Sequence, residues 1–167
     1  TRQLVPCMEK GAELFGWDQR RSTPGTDRRG EWLHGMGMAA AVRSNQLQKS
    51  AARVLLTTDG RLIVETDMTD IGTGSYSILT QIAAEVLGLP ADRVTTVLGD
   101  SDLPQSSGSG GSFGAASSGS SVMLAAKAVR QKLAKRMECD PDELTLKDGY
   151  AIAENRRRTL AEVLAGG

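Results

Sequence analysis

Asp70-Ile71-Gly72-Thr73-Gly74-Ser75-Tyr76-Ser77-Ile78-Leu79-Thr80-Gln81-Ile82-Ala83-Ala84-Glu85-Val86-Leu87-Gly88-Leu89-Pro90 is the stretch in which the apolar period changes. Just before it, Leu62 to Thr66 is rich in Val, Ile, Leu and Thr and reads as a strand. Within it, Ile78, Ile82 and Val86 form one row and Leu79, Ala83 and Leu87 the next, which is the face of a helix. The spacing therefore predicts a strand, a glycine turn and a helix over 75–87. Gly88 can take the left-handed stop and Pro90 cannot continue a helix, so the end is marked as well as the start.

Upstream, Ala52 to Thr57 is a second strand, joined to Leu62–Thr66 across Asp59-Gly60, a strong hairpin signal. The small-residue run Gly35-Met36-Gly37-Met38-Ala39-Ala40-Ala41-Val42 reads as a buried strand, the first of a three-strand meander. Glu9 to Phe15 is expected to form a short helix, and Thr23-Pro24-Gly25-Thr26 a turn. Downstream, Val94 to Leu98 is a strand and Gln105 to Gly119 a Ser/Gly/Ala loop. Val122, Ala126, Val129, Leu133 and Met137 then mark a helix ending near Met137, its basic face read as solvated. The tail holds a hairpin over 144–152, a solvated turn at Arg156-Arg157-Arg158, and a short helix from Thr159 to Leu164 whose Thr159 and Glu162 have capping-box spacing. The expected fold is α+β: a mixed sheet of meander strands with two amphipathic helices packed on it, plus a small C-terminal hairpin and short helix, all in one domain over 1–167.

Composition narrows the function classes. Lys and Arg number 20 against 20 Asp and Glu, so the uniform basic field of a non-specific nucleic-acid binder is missing. The apolar runs fall short of the ~18 residues that a membrane helix needs. Neither nucleic acid nor membrane is an expected partner. Cys7 and Cys139 are far apart and His34 is the single histidine, which excludes a clustered Cys/His metal site. His34, beside Trp32 and Leu33, reads as structural rather than as a base, and neither a catalytic residue nor a metal ligand is assigned. The chain opens on Thr1 with no leader pattern and is expected to be a segment of a larger protein.

Chemistry is left to two glycine loops, each between a strand and a helix. In Asp70–Ser75, Gly72, Thr73 and Gly74 can present main-chain N–H groups at a helix start, where partial positive charge gathers. In Ser107–Gly114, the residues Ser109, Gly110, Gly111 and Ser112 offer amides and hydroxyls to phosphate or pterin acceptors. The second loop lacks the Gly-Lys-Ser/Thr ending of a P-loop, and Phe113 stands where a dinucleotide fingerprint needs its last glycine. Residues 61–110 carry two basic against seven acidic side chains, so an anionic guest would have to be held by short-range hydrogen bonds. A tight turn, an interdomain linker and a simple nucleotide-phosphate binder are the competing readings of these loops.

The two loops carry a resemblance. Asp70 through Ala84, Gly99-Asp100-Ser101-Asp102 with Pro104, and Gly108-Ser109-Gly110-Gly111-Ser112 resemble the cofactor segments of the large, molybdopterin-binding subunit of the xanthine dehydrogenase and aldehyde oxidase family. The likeness extends to Arg28-Arg29-Gly30, Gly35–Ala39 and Thr159–Val163, and so covers most of the chain. It implies a molybdenum hydroxylase that acts on an aldehyde or a heterocycle. The cofactor would be a molybdenum pyranopterin, in bacterial members often the cytosine dinucleotide form, approached by Gly72, Thr73 and Gly74 and by Ser109, Gly110, Gly111 and Ser112. Many relatives have Gln where Thr73 stands. The family's upstream glycine–aromatic loop, substrate-pocket arginine and C-terminal glutamate base match nothing in these 167 residues. The resemblance thus implies an incomplete active site, with the remainder of the large subunit and iron–sulfur and FAD subunits or domains as partners. Cytoplasm and periplasm both stay open. The rival expectation is a free-standing α+β binding or interaction module without redox activity.

Overall fold

The computed structural model describes residues 3–41 and 46–165, and the chain divides into two compact units, residues 1–43 and 44–167. In the first, α1 (Leu4–Phe15) stops at Gly16, whose φ of 75° lets its N–H reach the last helical carbonyls. The helix starts well before the expected Glu9, because Pro6 falls in its first turn, where no N–H is required. A short 3-10 turn follows at Trp17–Gln19, and β1 (Asp27–Arg29) pairs antiparallel with β2 (Trp32–His34). No described residue of this unit is buried. The strand expected at 35–42 is not found: residues 35–41 have no strand pairing and are exposed, and Val42 lies outside the described residues. A strand needs a ladder partner, and among the described residues 35–41 find none.

The second unit is built on β3 (Arg53–Leu56) and β4 (Leu62–Thr66), an antiparallel hairpin in which Leu56 faces Leu62. After β4 the chain turns at Gly72–Gly74, runs through α2 (Ser75–Leu87) and returns as β5 (Val94–Leu98), parallel to β4. The sheet order β3-β4-β5 is therefore mixed, as the α+β reading requires, although it holds one hairpin and a helical crossover in place of a three-strand meander. Alternation along β4 buries Leu62, Val64 and Thr66. Over the sheet, α2 packs against both β4 and β5, and α3 (Gly114–Met137) packs on α2 and β3. The core gathers Leu62, Val64, Leu79, Leu87, Val122 and Met137. At the end of α2, Gly88 (φ 67°) places its own N–H on Glu85 O and the Leu89 N–H on Ala84 O, the stop expected from Gly88 and Pro90.

The third helix begins at Gly114, inside the run read as loop. Small residues there serve close packing. A side chain on Gly119 would come within 2.8 Å of Ile82 Cδ1, and one on Gly114 within 2.7 Å of Met68 Cε. Ser118 is fully buried, with its Oγ 3.1 Å from Ser50 Oγ, and Ser117 Oγ accepts the Gln48 N–H at 3.0 Å. A composition rich in Ser, Gly and Ala thus marks a helix pressed against its neighbours as readily as a loop.

The C-terminal part forms a second sheet, β6 (Thr145–Lys147), β7 (Tyr150–Ala153) and β8 (Arg156–Thr159), followed by α4 (Leu160–Ala165). The arginine triplet is a strand and not a turn: its backbone pairs with β7, Arg157 stacks 3.8 Å from the centre of the Tyr150 ring, and Arg156 donates to Glu138 O at 2.8 Å. Charged side chains suit this exposed edge. The expected capping box is present, with Glu162 N–H on Thr159 Oγ1 at 3.2 Å and Thr159 N–H on Glu162 Oε2 at 2.9 Å. Two arginines of the face read as solvated are engaged. Arg130 donates to Pro141 O at 2.7 Å, Leu144 O at 2.5 Å and Val86 O at 3.3 Å, and Arg136 caps the end of α4 through Val163 O and Leu164 O. Among the described residues no helix is long and apolar enough to cross a membrane.

Candidate functional site

The first loop is shaped by one carboxylate. Gly72 and Gly74 have φ of 92° and 76°, values open mainly to glycine, and they fold the chain back over Asp70. Asp70 Oδ1 accepts the N–H groups of Gly72 and Thr73 at 2.9 Å each and of Gly74 at 3.2 Å, and Oδ2 accepts that of Tyr76 at 3.4 Å. Burial pushes this carboxyl up, but the N–H groups of Gly72, Tyr76, Thr73 and Gly74 together outweigh it and hold Asp70 below the usual carboxylate range. The helix start at Gly74 has no cap from its own side chain, and Asp70 performs that service from four residues upstream.

The second loop is tied to the sheet at its root and has unpaired amides at its tip. Asp67 N–H bonds Pro104 O at 2.9 Å and Ala51 N–H bonds Gln105 O at 2.8 Å, so the segment after β5 is laced between neighbouring strands. Asp67 Oδ1 accepts the Ser106 N–H, and Ser109 Oγ donates to Thr69 O, which joins the second loop to the first. Beyond this anchor, Gly111 and Ser112 have φ of 48° and 59°. Among the described residues the N–H groups of Gly110, Gly111 and Ser112 meet no partner, and Phe113, at the start of α3, offers no side-chain cap. The dipole of a 24-residue helix thus opens onto this tip uncapped.

These loops enclose one cleft of about 410 Å³. Its polar side is made of Thr73, Ser109, Gly110, Gly111 and Ser112, and its apolar side of Met68, Ile71 and Ile78. Ser75 and Gly114 bring the N-terminal ends of α2 and α3 to the same space. Of the seven residues expected from the sequence, five line the cleft together. Gly72 and Gly74 do not: their amides face Asp70. The sequence reading missed Asp70 itself, although an Asp two residues before a left-handed Gly is an Asx-turn signal. It also missed the apolar wall and Gly114. No Asp, Glu, His or Lys side chain lines the cleft, and among the described residues no three His, Cys, Asp or Glu gather as a metal site. His34 stands on β2 opposite Asp27, in the other unit.

Comparison with known proteins gives a consistent answer. The chain is 51% identical over 166 residues to the aldehyde oxidoreductase molybdenum-binding subunit PaoC of Escherichia coli K12, a match that covers 99% of this chain and 23% of that protein. It is 30% identical over 134 residues to the probable hypoxanthine oxidase XdhD of the same organism, covering 78% of this chain and 14% of the relative. The chain therefore spans about a quarter or less of the length of these relatives. Among solved structures, the quinoline 2-oxidoreductase of Pseudomonas putida 86 superposes with a TM-score of 0.53 at 28% identity, over 68% of this chain and 15% of that one. Carbon monoxide dehydrogenase of Oligotropha carboxidovorans, at 22% identity and a TM-score of 0.54 over 67% of this chain and 15% of its own, shares the fold. A family model described as the molybdopterin cofactor-binding domain matches residues 10–166, and the chain belongs to that family.

Proposed function

We propose that the cleft between the two glycine loops is part of the molybdopterin pocket of a molybdenum-dependent aldehyde oxidoreductase. The observation that carries this reading is the convergence of two helix N-termini and a row of unpaired amides, Gly110 to Ser112, on one cleft with an apolar wall. A pyranopterin fits such a lining. Its ring edge carries nitrogen and oxygen acceptors for the amides of Gly110 to Ser112, its ring faces suit Met68, Ile71 and Ile78, and its phosphate suits the uncapped start of α3. The lining carries no acidic side chain, and the Asp70 carboxylate behind Thr73 is spent on the amides of the first loop, so an anionic group meets the unpaired donors of the second loop.

When bound, a molybdenum pyranopterin supplies two-electron redox chemistry and oxygen transfer to a substrate carbon. This chain's part is to bind and orient. Asp70 holds the first loop in shape, so that Thr73 stands at the cleft edge, and the Ser109 bond to Thr69 O fixes the second loop against it. With no titratable side chain on the cleft, the general base belongs to the remainder of the large subunit, and this chain's share of the active site is incomplete. Two cysteines, Cys7 and Cys139, cannot ligate an iron–sulfur cluster by themselves, so iron–sulfur and FAD centres that would take the electrons would belong to partner subunits or domains. On this reading residues 1–167 form a single domain, part of the molybdenum-cofactor-binding region of a larger subunit. Aldehydes are the favoured substrate class on the 51% identity to PaoC against 30% to XdhD, and the cytosine dinucleotide is the favoured cofactor form on the family resemblance.

The test uses the natural full-length protein that carries this chain, with Gly111→Val. Valine is strained at a φ of 48°, so the substitution distorts the tip of the second loop. The expected outcome is a several-fold loss of bound molybdenum and pterin per protein while the protein stays folded. Unchanged loading contradicts the reading.

A further inference from the structure

A second cleft, of about 500 Å³, lies wholly within the N-terminal unit, walled by Trp17, Arg20, Arg21, Asp27, Arg29 and His34. Its charge is one-sided. Arg29 forks onto Asp27, with Nη2 3.0 Å from Oδ2 and Nε 3.4 Å from Oδ1. Arg20 lies over the Trp17 indole, 4.4 Å from the ring centre, and spends one N–H on Trp17 O at 3.4 Å. Among the described residues Arg21 makes neither an ion pair nor a hydrogen bond, and Asp27 is the only acid on the walls. Three guanidiniums therefore share one carboxylate. All three arginines are exposed, so an anion arriving from solvent can reach them.

We propose that this cleft is a binding site for a diphosphate-class oxyanion. A planar carboxylate already occupies the fork of Arg29, so the positions left open belong to Arg20 and Arg21. Two guanidiniums carry more donors than one flat carboxylate can take up, and a diphosphate offers oxygens to both. The hydroxyls of Ser22 and Thr23 also stand on the walls, and the cleft falls within the roughly 300–1,000 Å³ common for small-molecule sites, larger than one phosphate group requires. Stacking on Trp17 holds the Arg20 guanidinium in place before any ligand arrives, which lowers the ordering cost of binding.

Calorimetric titration of the natural full-length protein with inorganic pyrophosphate at low ionic strength tests the site, with citrate as a carboxylate of comparable charge. The expected result is saturable one-site binding of pyrophosphate, weaker binding of citrate, and an affinity for pyrophosphate at least about tenfold lower in Arg21→Gln. Arg21→Lys keeps the charge without the fork and is expected to fall between the two. Absence of saturable binding, equal affinity in Arg21→Gln, or citrate bound as tightly as pyrophosphate overturns the proposal. Molybdenum content measured on the same samples separates this proposal from the cofactor reading. A metal-free protein whose pyrophosphate binding depends on Arg21 supports this site and counts against the other cleft. A loaded protein without such binding does the reverse.

Discussion

Asp70 does the most for the site while standing outside the cleft lining. Its carboxylate collects four consecutive or near-consecutive N–H groups, so the first loop is organised from within and reaches the cleft through the Thr73 side chain. Asp70→Asn keeps the shape of the acceptor but loses its charge, and is expected to lower both melting temperature and cofactor loading. The pH dependence has a definite sign. The folded pKa lies below the unfolded one, so the charged form's contribution is fully present above the ordinary value of about 3.9. It is lost as pH falls through the depressed folded value. Melting curves of the native protein and the variant should differ by a constant gap at neutral pH and converge in acid. A gap that persists in strong acid contradicts this role.

At the scale of elements, α3 joins the two sheets and the cleft. Its first turns are small so that the loop segment and α2 can approach, and its later turns carry Leu133, Met137 and the arginine staples. Arg130 is partly buried and bridges α2, the 141–144 turn and α3 through three carbonyls. Arg130→Met is expected to loosen the C-terminal sheet by about 2 kcal/mol, the scale of charged hydrogen bonds discounted for exposure. Hydrogen exchange should report this as faster exchange in β6 and β7 than in β3 and β4, and an unchanged pattern contradicts it. The sequence was legible wherever a period was long or a stop was marked: α2 and β5 have the bounds read from their residues, and the Thr159–Glu162 cap is in place. It was not legible where composition carries two meanings. The residues Ala115-Ala116-Ser117-Ser118-Gly119 look like loop yet form tightly packed helix, and Arg156–Arg158 look like a turn yet pair as an edge strand.

Across the whole molecule the two units differ in how far they bury their own residues. Residues 44–167 hold the core, whereas α1 leaves Leu4, Val5, Met8, Leu14 and Phe15 exposed, and Trp32, Leu33, Met36 and Met38 are exposed as well. The failed strand at 35–42 belongs to this scale: the sequence supplied strand-like residues, but pairing is a property of neighbours that a local pattern does not show. The candidate site was legible because glycine turns at helix starts have few uses. Which amides face a guest was not, because the partner of Gly72 and Gly74 is a side chain folding back from Asp70. The most direct measurement is a crystal structure of the loaded full-length protein, with anomalous scattering at the molybdenum edge to locate the metal and electron density to place the pterin. The expected result places the pterin in the cleft between Thr73 and Ser109–Ser112, with the amides of Gly110 to Ser112 within hydrogen-bonding reach of it. A cofactor bound elsewhere, with this cleft filled by another protein segment, would contradict the central claim.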